Sequence, residues 1–310
     1  MKKALITIVS ITCLLILGAG AGYVHHVYQS TMQTADNVYE EIERESSERR
    51  EEESFDMESK EPISILLLGI GDHPGDVGRS DSMVVLTLNP EKETMYMFNI
   101  PRDTRTEIVG RGIEDKINHA YAYGGNEMAI NTVENFLDIP IDYFISIGME
   151  GFKDMIDVFG GVTVQNDFSF EQSGEYYEEG ELHLEGERAL HYARMRKSDP
   201  EGDLGRNARQ QEVINELISE GASLSSLTRV NNMLDVVGNN LRTNLNFDQM
   251  RTLLEDYRGV RHNREQFVIK GEDQYIDGVY YYLVSEDERK RISQKVRQHL
   301  ELEKSYAVDE

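Results

Sequence analysis

Ile63-Ser64-Ile65-Leu66-Leu67-Leu68-Gly69 is the stretch on which the architecture turns. It follows Pro62 and stops at a glycine, and a short apolar run bounded in this way reads as a buried strand. Gly71 to Gly78 then has the composition of a loop. Met83 to Leu88 and Met95 to Ile100 predict two more strands, joined through Asn89-Pro90 as a hairpin. The segments that follow the first and third strands both carry carboxylates and guanidiniums: Asp72, Arg79 and Asp81 in one, Arg102, Asp103 and Arg105 in the other.

Helices alternate with strands from there on. Lys116 to Tyr121 reads as the start of a helix that breaks at Gly124-Gly125 and resumes with Ala129, Val133, Phe136 and Leu137 on one apolar face. Tyr143 to Ile147 predicts a strand, Met149 to Phe159 a helix stopped by Gly160-Gly161, and Val162 to Val164 another strand. Phe168 to Gly180, acidic and aromatic, reads as a surface excursion. Thr228 to Leu241 and Asp248 to Tyr257 predict helices, Gln266 to Ile269 and Val279 to Val284 strands, and Ser285 to Glu301 a charged closing helix. The expected fold is one layered α/β/α domain over residues 62–302 with a central mixed sheet, followed by a tail at 303–310.

Within that domain Arg188 to Gln211 reverses the sign of the chain. The protein has 57 acidic and 32 basic residues, yet this stretch gathers Arg188, Arg194, Arg196, Lys197, Arg206 and Arg209, with His191 among them. A helix is predicted from Asn207 to Glu220, with Val213, Ile214, Leu217 and Ile218 on its buried stripe. The same stripe traced backwards passes through Arg209, Gln210 and Arg206, so these polar groups point inward. A buried guanidinium needs an anionic partner, and its fixed donors match phosphate oxygens in pairs. Structural Asp or Glu side chains would serve the same need.

A net charge of −25 argues against nucleic acid as the main partner, because duplex binding relies on an extended basic face. A compact basic pocket for a small anion remains compatible with it. The chain starts Met1-Lys2-Lys3, and residues 4–24 are free of charge. Twenty-one residues at about 1.5 Å each span a hydrocarbon core of about 30 Å. The lysines place a three-residue tail in the cytoplasm and the rest outside the cell membrane. A cleaved signal peptide is the rival reading, since Ala19-Gly20-Ala21 resembles a cleavage site. The single cysteine, Cys13, falls inside this run, and Trp is absent, so any sugar stacking would fall to Tyr. Residues 25–61 read as an acidic linker or stalk. Its first part has Tyr28, Thr31, Ala35, Val38 and Ile42 at helical spacing, and from Glu40 to Glu61 eleven acids stand against four bases, as in a solvated spacer.

Asp81 stands two residues from Arg79, and side chains two apart in a strand share a face. Such a carboxylate can hold a hard divalent ion while the guanidinium holds the phosphate that the ion bridges. This is equipment for phosphoryl transfer, in which the protein chiefly positions reactants and neutralises charge. There is no Walker-type loop, no G-x-S-x-G, no H-E-x-x-H and no histidine pair with metal-ligand spacing.

Taken together, Leu66 to Gly71 with Asp72, Gly78-Arg79-Ser80-Asp81-Ser82-Met83, Ile100-Pro101-Arg102-Asp103-Thr104, Lys116-Ile117-Asn118-His119-Ala120-Tyr121 with Gly124-Gly125, Gly160-Gly161-Val162, and Ala189-Leu190 through Gln211 resemble the LytR-CpsA-Psr family in order and spacing. The resemblance implies a phosphotransferase that moves an anionic glycopolymer of the teichoic acid or capsule type from a polyprenyl pyrophosphate carrier to a peptidoglycan hydroxyl, on muramic acid. It implies that Arg79, Arg102, Arg194, Arg196, Arg206 and Gln210 bind the pyrophosphate, and that Asp72 and Asp81 serve Mg2+ or Mn2+. Asp81, Arg102 and Asp103 are the implied catalytic groups, with Asp103 orienting Arg102 or assisting the acceptor hydroxyl. Apolar faces of strands and helices would enclose the lipid tail. Asp72 is followed by His73-Pro74, where the family more often has a small hydroxyl residue and Arg. Two other readings stay open: a pyrophosphatase using the same residues with water as acceptor, and a membrane-bound regulatory or transcriptional attenuator protein.

Overall fold

A computed structural model of the chain describes residues 25–42, 50, 57–71, 78–221 and 227–302. The segments expected as a cytoplasmic tail (1–3), a membrane anchor (4–24) and a closing tail (303–310), together with Asp72, lie outside the described residues.

Residues 25–38 are helical (α1). The strands β1 (Ile63–Gly71), β2 (Arg79–Asn89) and β3 (Thr94–Asn99) form an antiparallel meander, followed by the small hairpin of β4 (Arg105–Ile108) and β5 (Ile113–Lys116). Next come α2 (His119–Leu137), β6 (Tyr143–Gly148) and α3 (Met149–Phe159). The chain then builds β7 (Val162–Asn166), the short hairpin β8 (Phe170–Gln172) and β9 (Glu175–Tyr177), and β10 (Gly180–Leu184), which pairs with β7. Helices α4 (Gly186–Arg194), α5 (Asp203–Gly221) and α6 (Leu227–Asn240) lead to β11 (Leu241–Thr243) and α7 (Phe247–Asp256). The edge strand β12 (Asn263–Val268), the hairpin β13 (Glu272–Ile276) and β14 (Val279–Leu283), and α8 (Glu286–His299) complete the domain.

The central sheet has six strands in the order β11-β6-β1-β2-β3-β12. It is mixed: β1 pairs antiparallel with β2 and parallel with β6, and β12 joins parallel to β3. The apolar run from Ile63 to Leu68 therefore lies inside the sheet, covered on both faces. Alternate side chains go to opposite sides. Leu66, Leu68, Val85 and Phe98 pack with Val133 of α2 and Ile292 of α8. Ile65, Val84, Leu86 and Met97 face the other way, toward Ile214 of α5 and Leu253 of α7. The result is the expected layered α/β domain.

Several local expectations change. The helix expected from Lys116 starts at His119, because Lys116 ends β5 and Ile117 N donates to Thr104 O. The break at Gly124-Gly125 is present, and Gly125 takes φ 66° and ψ −155°, open mainly to glycine. The excursion from Phe168 to Gly180 is not wholly superficial. Phe170 and Tyr177 are buried and stack at 4.8 Å within a third core cluster that also holds Tyr192 and Val213. The strand expected at Val279 to Val284 leaves the main sheet and pairs with β13.

The first part of the connector, read as a helical stalk, is helical and lies against the domain. Ala35, Val38 and Ile42 are buried, Tyr39 bridges to Thr243 of β11, and Tyr28 meets Phe247 of α7 edge-on at 5.4 Å. An apolar helical stripe beside a folded domain gains by burying itself there.

Candidate active site

Between the sheet face carrying Ile65, Leu67, Val84 and Leu86 and the helices α3, α5 and α7 there is a cavity of ≈ 1110 Å³. One end is charged and polar, lined by Asp81, Arg102, Arg194, Arg196, Arg206 and Gln210. From there the wall is apolar along β2 to Leu88 and Met95, with Arg258 and Arg261 at the far end. Asp81 and Leu88 are seven residues apart on one strand, so the apolar part is about 23 Å long at about 3.3 Å per residue.

The register of the sheet places Asp81 at the mouth. β1 and β2 pair regularly as far as Gly69 and Ser82, and the register then shifts, with Ile70 opposite Ser80. Asp81 is the extra residue, and such a bulge re-aims a side chain. Arg102 Nη1 donates to Asp81 Oδ1 at 2.8 Å. Asp103 does not line the cavity. Its carboxylate accepts from Lys116 Nζ at 2.6 Å and lies 3.7 Å from Arg102 Nε, so it braces Arg102 from behind.

The other cations come from the end of α4 and the start of α5. This helix begins at Asp203, one turn earlier than the glycine-rich sequence predicts, with Arg206 N donating to Gly202 O. Gly205 lies within that first turn because a Cβ there would meet the Asp199 carboxylate at 2.0 Å. Asp199 in turn holds Arg209, whose guanidinium also donates to the carbonyl oxygens of Tyr192 and Met195. Arg209 is thus a structural strut, and the acid-paired alternative applies to it. Arg206 differs. It is 6% exposed and pairs with Asp203 at 2.9 Å, but its Nε has no partner among the described residues. Burial pulls its pKa below the usual arginine value, and the nearby Arg102 and Arg196 pull the same way. An anion at the mouth would relieve both conditions. Arg196 lies 3.8 Å from Asp203 and is 44% exposed, and Arg194 reaches Met149 Sδ at 3.3 Å. Gln210 Oε1 accepts from Ser82 Oγ at 3.0 Å and Asn99 Nδ2 at 3.2 Å, which aims the amide into the cavity.

Six of the residues expected from the sequence therefore meet at one mouth. Arg79 does not line the cavity: it pairs in register with Gly71, and its charge acts on Tyr123 of α2. Among the described residues no three His, Cys, Asp or Glu side chains gather as a metal site, and Asp81 is the one carboxylate lining the mouth. That donor set suits magnesium, which takes one or two protein carboxylates and completes its shell with phosphate oxygens and water. Sequence reasoning missed Lys116 as the partner of Asp103, and Asp199 as the partner of Arg209, because neither pairing leaves a trace in local spacing.

A model of the LytR-CpsA-Psr family matches residues 25–298. This chain belongs to the LytR-CpsA-Psr family. Over 308 residues it is 47% identical to the polyisoprenyl-teichoic acid–peptidoglycan teichoic acid transferase TagU of Halalkalibacterium halodurans, covering 97% of this chain and 100% of that one. The crystal structure of TagU from Bacillus subtilis matches with a TM-score of 0.64 and 42% identity over 78% of this chain and 97% of that chain. A structure of TagT bound to LIIa-WTA matches with a TM-score of 0.70 and 33% identity over 83% of this chain and 97% of the other. As a LytR-CpsA-Psr protein homologous to a teichoic acid transferase, the chain is a transferase that acts in building the cell wall.

Proposed function

We propose that this protein transfers a teichoic-acid-type polymer from a polyisoprenyl diphosphate carrier to a peptidoglycan hydroxyl, acting outside the cell on the membrane surface. The observation that carries the reading is the continuity of a guanidinium-rich mouth with an apolar cavity of ≈ 1110 Å³. A diphosphate joined to a long hydrocarbon chain needs both in that order.

In this reading Arg102, Arg194, Arg196, Arg206 and Gln210 hold the diphosphate, and the tail lies along Leu67, Val84, Leu86 and Ile145. The acceptor oxygen attacks the phosphorus nearer the polymer. A new O–P bond forms, the bond to the bridging oxygen breaks, and polyisoprenyl monophosphate leaves with the electron pair. The guanidiniums meet the charge that grows on the leaving phosphate. Asp103 holds Arg102 in place from outside the cavity, and the acceptor proton passes to water at the mouth. Asp81 would hold a magnesium or manganese ion, which would supply further charge neutralisation.

Incubating the protein with lipid-linked polymer, magnesium and peptidoglycan tests the reading. A covalent polymer–peptidoglycan conjugate is the expected product. Free phosphorylated polymer as the sole product would instead mean that water is the acceptor and the protein a pyrophosphatase.

A further inference from the structure

One surface beside the mouth carries chemistry that the donor does not use. Residues 272–283, Glu-Asp-Gln-Tyr-Ile-Asp-Gly-Val-Tyr-Tyr-Tyr-Leu, form the β13–β14 hairpin. Alternation along each strand and pairing across them put Asp273, Tyr275, Tyr280 and Tyr282 on one face. Tyr275 is 73% exposed, and its ring meets that of Tyr280 at 5.6 Å. The Tyr280 hydroxyl donates to Asp273 Oδ1 at 2.7 Å.

The hairpin is fastened to the active site. Tyr282 N donates to Asp103 O at 2.9 Å, and Tyr282 forms a bridge with Thr104. Lys116 Nζ, which holds the Asp103 carboxylate, lies 5.7 Å from the Tyr280 ring centre. Asp103 and Asp203, from the two sides of the mouth, both act electrostatically on the Tyr280 hydroxyl. None of these tyrosines lines the cavity, so they flank the mouth on its outer side.

The donor's diphosphate and tail account for the mouth and the cavity, so an acceptor comes in from solvent, and this hairpin offers it an exposed aromatic face beside the mouth. An exposed tyrosine ring beside a carboxylate suits a sugar: the ring takes the C–H face and the carboxylate accepts from a hydroxyl. Charge distinguishes between the sugars available. The hairpin carries Glu272, Asp273 and Asp277 and no Lys or Arg, and Lys116 and Arg105 against its rings do not outnumber those acids, so the face does not attract a polyanionic polymer and suits the uncharged backbone sugars of a glycan strand. We propose that Tyr275 and Tyr280 form the acceptor subsite, stacking a pyranose of the peptidoglycan strand so that its hydroxyl faces the phosphorus held at Arg102 and Arg206. This inference rests on the transferase reading.

The test is a titration of the full chain in detergent micelles with a peptidoglycan tetrasaccharide, alongside a titration with polyprenyl diphosphate. Tyr275→Ala and Tyr280→Ala are each expected to weaken tetrasaccharide binding by about tenfold. Tyr280→Phe, which keeps the ring, should bind it as the unaltered protein does, and all three should bind the diphosphate normally. Equal tetrasaccharide affinity in the alanine variants, or no binding to the unaltered protein, overturns the assignment. So does displacement of the tetrasaccharide by free teichoic acid. Failure of the transferase reading would show separately, as no conjugate formed by the unaltered protein.

Discussion

Arg102 and Asp81, twenty-one positions apart in the chain, meet at 2.8 Å on the rim of the cavity. Each is 22–28% exposed, so the pair is accessible to a ligand but not freely solvated. Asp81→Asn keeps the shape and removes the charge. Transfer should fall at least about a hundredfold, and the response to added magnesium should flatten. Activity that still rises with magnesium as before would remove Asp81 from the role of ligand.

Arg196 is half-exposed and loosely held, at 3.8 Å from Asp203, which marks a group kept available for substrate. Arg196→Ala should therefore leave the unfolding temperature within about 2 °C while lowering transfer by about 100-fold or more. Unchanged turnover would exclude it from the site.

Arg209 predicts the opposite pattern. Its partner Asp199 is 2% exposed, and Arg209→Ala would strand that carboxylate in the interior. The expected loss is about 3–5 kcal/mol of stability, measured by denaturant unfolding. A small change there, with a large drop in diphosphate affinity, would move Arg209 into the binding set.

The path of the tail is tested by Ile145→Trp, which puts a larger side chain on the cavity wall. Binding of a long polyprenyl diphosphate should weaken at least about tenfold while inorganic pyrophosphate binds as before. Equal weakening of both ligands would mean that the tail runs elsewhere.

His299 gives a pH dependence unrelated to the site. It is buried between the hydroxyls of Thr87 and Thr94 and stacks on Tyr96, and burial pushes its pKa down to about 4. The unfolded chain takes up this proton near pH 6.5, the folded one only near pH 4. Stability is thus greatest above 6.5 and falls by about 3 kcal/mol as pH drops through that window, then levels off. His299→Gln should flatten urea midpoints between pH 4 and 6.5 relative to the unaltered protein.

Much of the fold was legible in the chain because periodicity and punctuation are local. The run from Ile63 to Leu68, the hairpin at Asn89-Pro90, the break at Gly124-Gly125 and the stop at Gly160-Gly161 each reflect a backbone or burial rule acting within a few residues. So did the inward aim of Arg206 and Gln210, which follows from the apolar stripe of their own helix. Local pattern could not say that Arg209 is held by Asp199 while Arg206 Nε has no partner among the described residues, nor that Arg79 stands outside the cavity lining. It also could not tell a cavity wall from a packed layer, since Val84 and Leu86 on one side of β2 face the cavity while Val85 on the other packs with Phe98 and Val133. Those distinctions depend on what stands opposite each side chain, and only the packing of distant helices on the sheet determines that.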